Sequence, residues 1–375
     1  MKREVYEAIA TLIGTIIGAG ILGIPYVISK SGFLIGLVHI VIIGLIILAV
    51  NLFIGEVVLR TKGNHQLTGY AAKYFGKYGK IIMTVLMVFG INGVLIAYLI
   101  GGSESLSAIF GGNIFYYFIG YFLFMSILIF IGLKAIRKTE LIMSGLILFI
   151  VLIISLIGFT KFDIVNIQMV NLSYVFYPYG IVLLAFLGGM AAIPEMKEEL
   201  VNNKKELKKA IMIGVLVPLI VYILFSFVVL GVTGINTYEI ATLGLSNVFG
   251  WQVALFGNLF ALFAVSTGFL VLGLALKEMY NYDFKLNKNV SWFLACIPPF
   301  LFLVFFWNLA SFKNVLNVTG ALFGGLESIF IILIYYKAKK MGDRNPEYSM
   351  SISPVIGGLM ILMFIVGIVF GLNLI

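Results

Sequence analysis

Histidine and cysteine are nearly missing from this 375-residue chain: His39 and His65 are the two histidines, and Cys296 is the one cysteine. A lone cysteine forms no internal disulfide, and within an apolar run it reads as a packing residue. Two distant histidines, with no paired acidic motif in any apolar segment, argue against a membrane-embedded enzyme, which needs convergent ligands or acid–base groups. Charge is scarce too. Asp, Glu, Lys and Arg make up 11% of the residues against 62% hydrophobic, and the mean hydropathy is +1.12. No soluble domain has this balance. The longest polar intervals, 60–80 and 195–209, are too short to enclose a core, and no filter-like repeat points to a channel.

What is present is a series of apolar runs long enough to cross a bilayer, about 20 residues each. Eleven spans are expected, at 5–29, 33–60, 79–109, 115–134, 139–159, 175–196, 208–233, 251–277, 291–310, 314–337 and 353–373. The two basic residues ahead of the first run are not followed by a small-residue cleavage site, so that run reads as a retained span. The net charge of +9 follows the loops. With these spans, 22 of the 25 lysines and arginines fall on one side, and only Lys30, Lys161 and Lys313 on the other. The positive-inside rule then predicts a cytoplasmic N-terminus and an external C-terminus, in a multi-pass protein of the cell membrane without nucleic-acid or obligatory protein partners. Residues 64–78 read as an amphipathic surface helix, 195–209 as a charged continuation of span six, and 236–250 as a re-entrant or capping hairpin.

Glycine is concentrated where a uniform helix would avoid it. Gly14, Gly18, Gly20, Gly23 and Pro25 fall within GTIIGAGILGIP. Glycine costs roughly 1 kcal/mol and proline roughly 3 kcal/mol against alanine in a helix. In hydrocarbon the freed backbone groups persist only where protein or a cavity satisfies them. Span one therefore reads as a broken helix facing a ligand. Span six repeats the pattern: Gly189 and Pro194 have the spacing of Gly20 and Pro25, with a shared Ile-Pro. Two interrupted spans at matching positions of two halves are the pattern expected of a secondary transporter's binding site. The blander alternative is that these glycines let helices pack closely.

GTIIGAGILGIP resembles the first-helix motif of the aromatic amino acid permease family, related to the amino acid/auxin permeases within the amino acid–polyamine–organocation superfamily. FALFAVSTGFLVLGLALKEMY (260–280), IPPFLFLVFF (297–306) and GMAAIPE (189–195) resemble that family's eighth-, ninth- and sixth-helix patterns, the last without its usual histidine. The resemblance implies an all-α polytopic membrane protein with a LeuT-type 5+5 inverted repeat plus one extra helix. The single transport domain spans 1–375, with repeats at 5–159 and 175–337 and the extra helix at 353–373. It also implies uptake of neutral or aromatic amino acids by cation symport and alternating access, with no cofactor and no metal beyond a coupling Na⁺ or H⁺. The same fold carrying a nucleobase, polyamine or inorganic ion is the alternative. The absence of acidic residues from 14–25 and 183–194 argues against a polyamine.

On that resemblance the substrate contacts the backbone of Gly18, Ala19, Gly20, Phe186, Gly188 and Gly189, with Asn92, Gly93 and Tyr98 on the opposite wall. Ser266 and Thr267 would ligate a cation with the carbonyls of Gly14, Ile17 and Phe263, although such hydroxyls usually bond back to their own helix. Span five lacks the lysine that replaces this ion in proton-coupled relatives. Intramembrane ionisable groups are functional candidates by default. Glu56 reads as an i,i+4 partner of Arg60 or a brace for the unwound part of span six. Glu327 reads as a proton site or an inter-helix brace, Glu104 as a vestibule group, and Glu195 as part of a cytoplasmic gate or merely solvated. His39 reads as a packing residue.

Overall fold

A computed structural model describes residues 2–18, 20–307 and 312–372. The described chain is all-helical. Its order is α1 (Arg3–Ile16), α2 (Gly20–Ser31), α3 (Phe33–Arg60), α4 (Leu67–Phe110), α5 (Ile114–Ile131), α6 (Leu133–Gly158), α7 (Tyr179–Glu199), α8 (Leu207–Thr233), α9 (Ala241–Phe249), α10 (Trp251–Glu278), α11 (Lys288–Phe306), α12 (Phe312–Val318), α13 (Gly325–Met341) and α14 (Pro354–Leu372). Among the described residues nine helical segments are long and apolar enough to cross a membrane, or ten when α1 and α2 count as one bent span.

Burial separates the centre from the rim. In the most apolar stretch of α7, 89% of the residues are buried, and in that of α10 83%, whereas α11 reaches 28%. Helices α7 and α10 therefore form the heart of the molecule, and most of the surface of α11 is left uncovered by the rest of the chain. α1 packs on α7, α8, α6 and α10, α3 packs on α7 and α8, and the long α4 lies along α10.

Three connections differ from the sequence expectation. The surface helix of 64–78 runs directly into α4, with the break at Gly76, whose φ of 65° is a left-handed conformation that glycine adopts without strain. The charged continuation of span six stops at Glu199, and a turn leads into α8. Glu195, Lys197 and Glu199 are drawn into the fold: Glu199 accepts a hydrogen bond from Thr11 at 3.0 Å, and Lys197 donates to the Gly63 carbonyl at 2.7 Å. Residues 236–250 are not a hairpin but a turn followed by α9, which packs on α10 and α8.

Candidate transport site

The break in span one is present. α1 ends at Ile16, Ile17 has a non-helical ψ of 62°, and α2 restarts at Gly20 after a bend of 46°. Ala19 lies outside the described residues. A helix end leaves carbonyls without intrahelical partners, and here side chains supply donors. Thr267 of α10 donates to the Gly14 carbonyl at 2.9 Å, with a second acceptor in Ala264 of its own helix at 3.0 Å. Tyr222 of α8 donates to the Ile16 carbonyl and to Ala185 of α7. Tyr222 was not among the sequence candidates. An apolar span with a mid-run tyrosine gives no signal of what its hydroxyl meets.

Span six departs from expectation. α7 is continuous from Tyr179 to Glu199, with Pro194 inside it and no break at Gly188–Gly189. These glycines permit close packing. A Cβ on Gly188 would lie 2.7 Å from the Thr15 carbonyl oxygen, and one on Gly189 would lie 2.9 Å from Leu12 Cδ1. The pair lets α7 approach α1, as expected of small residues at a membrane helix interface. Gly20 does the same from α2, since a Cβ there would collide with Ala185.

A cavity of about 40 Å³ lies between α4, α7, α10 and the stretch joining α12 to α13. Among its lining residues are Val94, Tyr98, Gly188, Leu272, Thr319 and Glu327. Ligand pockets measure roughly 300–1,000 Å³, so the cavity is collapsed here, and admitting a solute requires its walls to part. Tyr98 links it to the break: methyl groups on Gly18 or Gly268 would collide with its hydroxyl. The stretch Thr319–Gly324 is a π-helical turn that presses against α7, with Gly324 facing Leu187 and Gly320 facing the Gly180 carbonyl. Such turns recur at functional sites. One turn later Glu327 enters the cavity lining.

Several expected wall residues lie elsewhere. Asn92 is absent from the cavity lining, and its Nδ2 donates to the Val88 carbonyl on its own helix at 2.6 Å. Gly93 packs against Thr319. The Phe186 side chain is fully buried against Tyr222 of α8, with ring centroids 5.1 Å apart, and faces Gly44 of α3. On α7 the cavity-facing residues are instead Leu184, Leu187, Gly188 and Ala191.

The expected ion ligands separate. Ser266 bonds to the Tyr121 hydroxyl at 2.9 Å, and with Phe263 it lines a different, apolar cavity of about 480 Å³ bounded by α4, α5, α6 and α10. Adjacent residues on a helix point about 100° apart, so Ser266 faces α5 while Thr267 faces span one. Ile17 is fully buried at the break.

Among the ionisable candidates, Glu56 is buried, and the i,i+4 pair with Arg60 is present at 2.8 Å. Its remaining partners are Ser349 at 3.1 Å and the Met350 N–H at 2.5 Å. It braces the connection between α13 and α14 rather than an unwound span six, because α7 has no unwound stretch to brace. Glu195 is fully buried within electrostatic reach of Tyr282, so it is not solvated. Glu104 is half-buried near Glu239. His39 is bonded to the Ile35 carbonyl at 2.9 Å and lines a crevice with Tyr179. Cys296 is buried in packing. Among the described residues no group of three or more His, Cys, Asp or Glu side chains is placed to hold a metal ion.

An all-helical membrane chain whose broken first span lies against Tyr98, at the edge of a cavity between packed helices, has the LeuT-type fold, and its architecture matches a solved structure of that fold. The closed, bromovinylhydantoin-bound structure of Mhp1, a nucleobase-cation-symport-1 family transporter, superposes with a TM-score of 0.67 over 99% of this chain and 90% of that one, at 14% identity. The sequence itself is more specific: the tryptophan/tyrosine permease family model matches residues 1–375, and the chain belongs to that family. Tyrosine-specific transport system 1 of Haemophilus influenzae is 27% identical over 367 residues, covering 89% of this chain and 88% of that protein. Glutamine transporter 2 of Aliivibrio fischeri is 24% identical over 321 residues, covering 80% and 81%. Tyrosine-specific transport system 2 of Haemophilus influenzae is 24% identical over 354 residues, covering 86% and 85%. The protein is an integral membrane transporter of amino acids and not an enzyme.

Proposed function

We propose that this chain is a secondary active transporter that takes up neutral or aromatic amino acids by alternating access, driven by a cation gradient, with its N-terminus in the cytoplasm and its C-terminus outside. The observation that carries the reading is the break of span one between Ile16 and Gly20, set against Tyr98 at the head of a cavity bounded by α4, α7 and α10. A broken span offers backbone groups to the charged ends of an amino acid, and the collapsed apolar lining offers its side chain a place once the walls part. The substrate is in contact with the break at Gly18, Ala19 and Gly20 and, across from it, with Tyr98 and the face of α7 at Gly188. Two of the relatives are named for tyrosine and one for glutamine, which supports an uncharged amino acid as cargo. The orientation is supported by the clustering of basic residues: Lys62, Lys73, Lys197 and Lys337 bond around one end of the bundle, while Lys30 bonds to the Ile235 carbonyl just after α8 and Lys161 to the Val248 carbonyl in α9. Uptake of radiolabelled tyrosine, tryptophan and glutamine into proteoliposomes, with an imposed Na⁺ or pH gradient, tests the proposal. Concentrative uptake of at least one of them is expected. No accumulation of any amino acid under either gradient refutes it.

A further inference from the structure

Glu327 is the acidic side chain in the cavity lining, and nothing in the fold accounts for it as a brace. Every other intramembrane acid with a clear structural role has visible partners. Glu56 holds Arg60 and the 349–350 backbone, and Glu199 holds Thr11. Glu327 has no hydrogen bond or ion pair among the described residues, and no neighbouring charge acts on it. Among the described residues the elements around it offer no counter-charge. α4 brings Gly90, Ile91, Val94 and Tyr98 to the cavity, α7 brings Leu184, Leu187, Gly188 and Ala191, and α10 brings Leu272. α14 carries no titratable side chain from Pro354 to Leu372. On α3, Glu56 and Arg60 are committed to each other, and His39 is bonded to Ile35. Tyr98 is thus the one other titratable group in the lining.

A charge in apolar surroundings without a partner is costly, and a cation that reaches it removes the cost. The two α10 hydroxyls that would build a Na⁺ cage point to different neighbours, Thr267 to Gly14 and Ser266 to Tyr121. Resting on the amino acid uptake proposed above, we infer that Glu327 binds the transported proton. Its carboxylate takes a proton from the outer water, crosses with the substrate as the neutral acid, and releases the proton to the inner water. No bond other than O–H forms or breaks, and one proton moves inward for each turnover. The π-helical turn at Thr319–Gly324, one turn before Glu327, is the place where α12–α13 can shift to change its exposure.

The test is uptake of the preferred amino acid by reconstituted protein, with internal pH followed by an entrapped dye. Wild type should concentrate substrate under an inward proton gradient, and adding substrate outside should acidify the lumen. Glu327→Gln should equilibrate substrate slowly, with accumulation above equilibrium reduced at least tenfold, lumen acidification lost and residual uptake insensitive to pH. Glu327→Asp, which keeps the carboxylate, should retain acidification with a displaced pH midpoint. Concentrative uptake retained in Glu327→Gln, wild-type uptake that follows Na⁺ and not protons, or an unmoved pH midpoint in Glu327→Asp overturns the role of Glu327 alone. A Glu327→Gln protein that no longer binds substrate without any gradient overturns it as well, by making the carboxylate a substrate ligand. If Glu327→Gln does not fold, the Glu327→Asp profile and the wild-type proton flux decide. No uptake of any amino acid by wild type overturns the proposed function and this role together.

Discussion

The Tyr222 hydroxyl donates to the carbonyl of Ile16, the last residue of α1, and reaches Ala185 on α7 with the same oxygen. One side chain from α8 thereby ties the broken end of span one to the central helix. The Ile16 carbonyl also accepts from the Gly18 N–H at 2.8 Å, so losing the hydroxyl costs the net worth of a hydrogen bond, about 0.5–1.5 kcal/mol, rather than stranding the acceptor. Tyr222→Phe keeps the ring that packs on Phe186 and removes only the donor. It is expected to destabilise the fold by about that amount, seen as a lower thermal midpoint in detergent, and to slow uptake, because the break is then held less firmly. A midpoint equal to wild type would show that the Gly18 N–H alone satisfies the Ile16 carbonyl.

Thr267 makes the corresponding contact to Gly14 from α10. Thr267→Val leaves that carbonyl without a donor and should cost about 1–3 kcal/mol, whereas Thr267→Ser keeps the hydroxyl and should cost well under half as much. Because Ser266 turns to Tyr121, neither variant should alter the dependence of uptake on Na⁺. Measuring uptake at several Na⁺ concentrations for both variants checks this, and an altered Na⁺ affinity would argue for a cation shared by Thr267 and Gly14.

The two spans that looked alike in sequence behave differently, for a reason that composition does not carry. Gly20–Pro25 and Gly189–Pro194 share their spacing, yet only the first helix opens. The extra glycines at 14 and 18 lower the cost of leaving the helix in span one, and Tyr222 and Thr267 receive its carbonyls from α8 and α10. Gly188 and Gly189 stay helical and spend their missing side chains on contact with Thr15 and Leu12. Hydropathy made the helical course of the chain legible, because a bilayer admits few alternatives. The wall of the cavity was less so. Tyr98 and Glu327 stood out as polar groups in apolar runs, but Asn92 and Phe186 could be placed only by knowing which face of their helices met α3, α8 or the cavity.

Gly188→Ala is expected to push α7 from α1. The added methyl would lie 2.7 Å from the Thr15 carbonyl oxygen and 3.1 Å from Thr15 Cγ2, and overpacking of this kind costs about 1–3 kcal/mol. The variant should show a lower thermal midpoint and a larger loss of transport than of stability, since Gly188 also lines the cavity. Full activity at a normal midpoint would mean that α1 and α7 separate freely at this contact.

Asp343 sits in the turn between α13 and α14, where it accepts from the Lys62 N–H at 2.9 Å and pairs with Lys73. The Lys62 N–H, then Lys73, hold its carboxyl below the ordinary value of 3.8. A lowered folded-state value means that the charged form favours the fold above pH 3.8, and that this contribution fades as pH falls through the folded value. The stability difference between wild type and Asp343→Asn should therefore be constant from neutral pH down to about 5 and shrink below 4. Thermal midpoints across that range check it, and a difference that is undiminished at pH 3 would place the effect in packing rather than charge.

Glu56 provides the strongest test of what holds the α13–α14 connection in place. Its carboxylate is fully buried, accepts from Arg60, Ser349 and the Met350 N–H, and lies beside Tyr348, which donates to the Leu52 carbonyl at 2.7 Å. Removing one partner of a buried pair leaves the other uncompensated, a cost of about 3–5 kcal/mol for complete burial. Arg60 retains 15% exposure, so the lower end, about 3 kcal/mol, is expected for Glu56→Ala. Glu56→Gln keeps acceptor capacity for Met350 and should cost less. Arg60→Ala should cost more than Glu56→Gln, because it strands a charge with no route to water. Limited proteolysis between residues 343 and 353 reads the same contact from the other side, with cleavage faster in Glu56→Ala than in wild type. If cleavage is unchanged while stability falls, the loop is held by Tyr348 and by Tyr335, which donates to the Met350 carbonyl at 2.8 Å, and the carboxylate serves only Arg60.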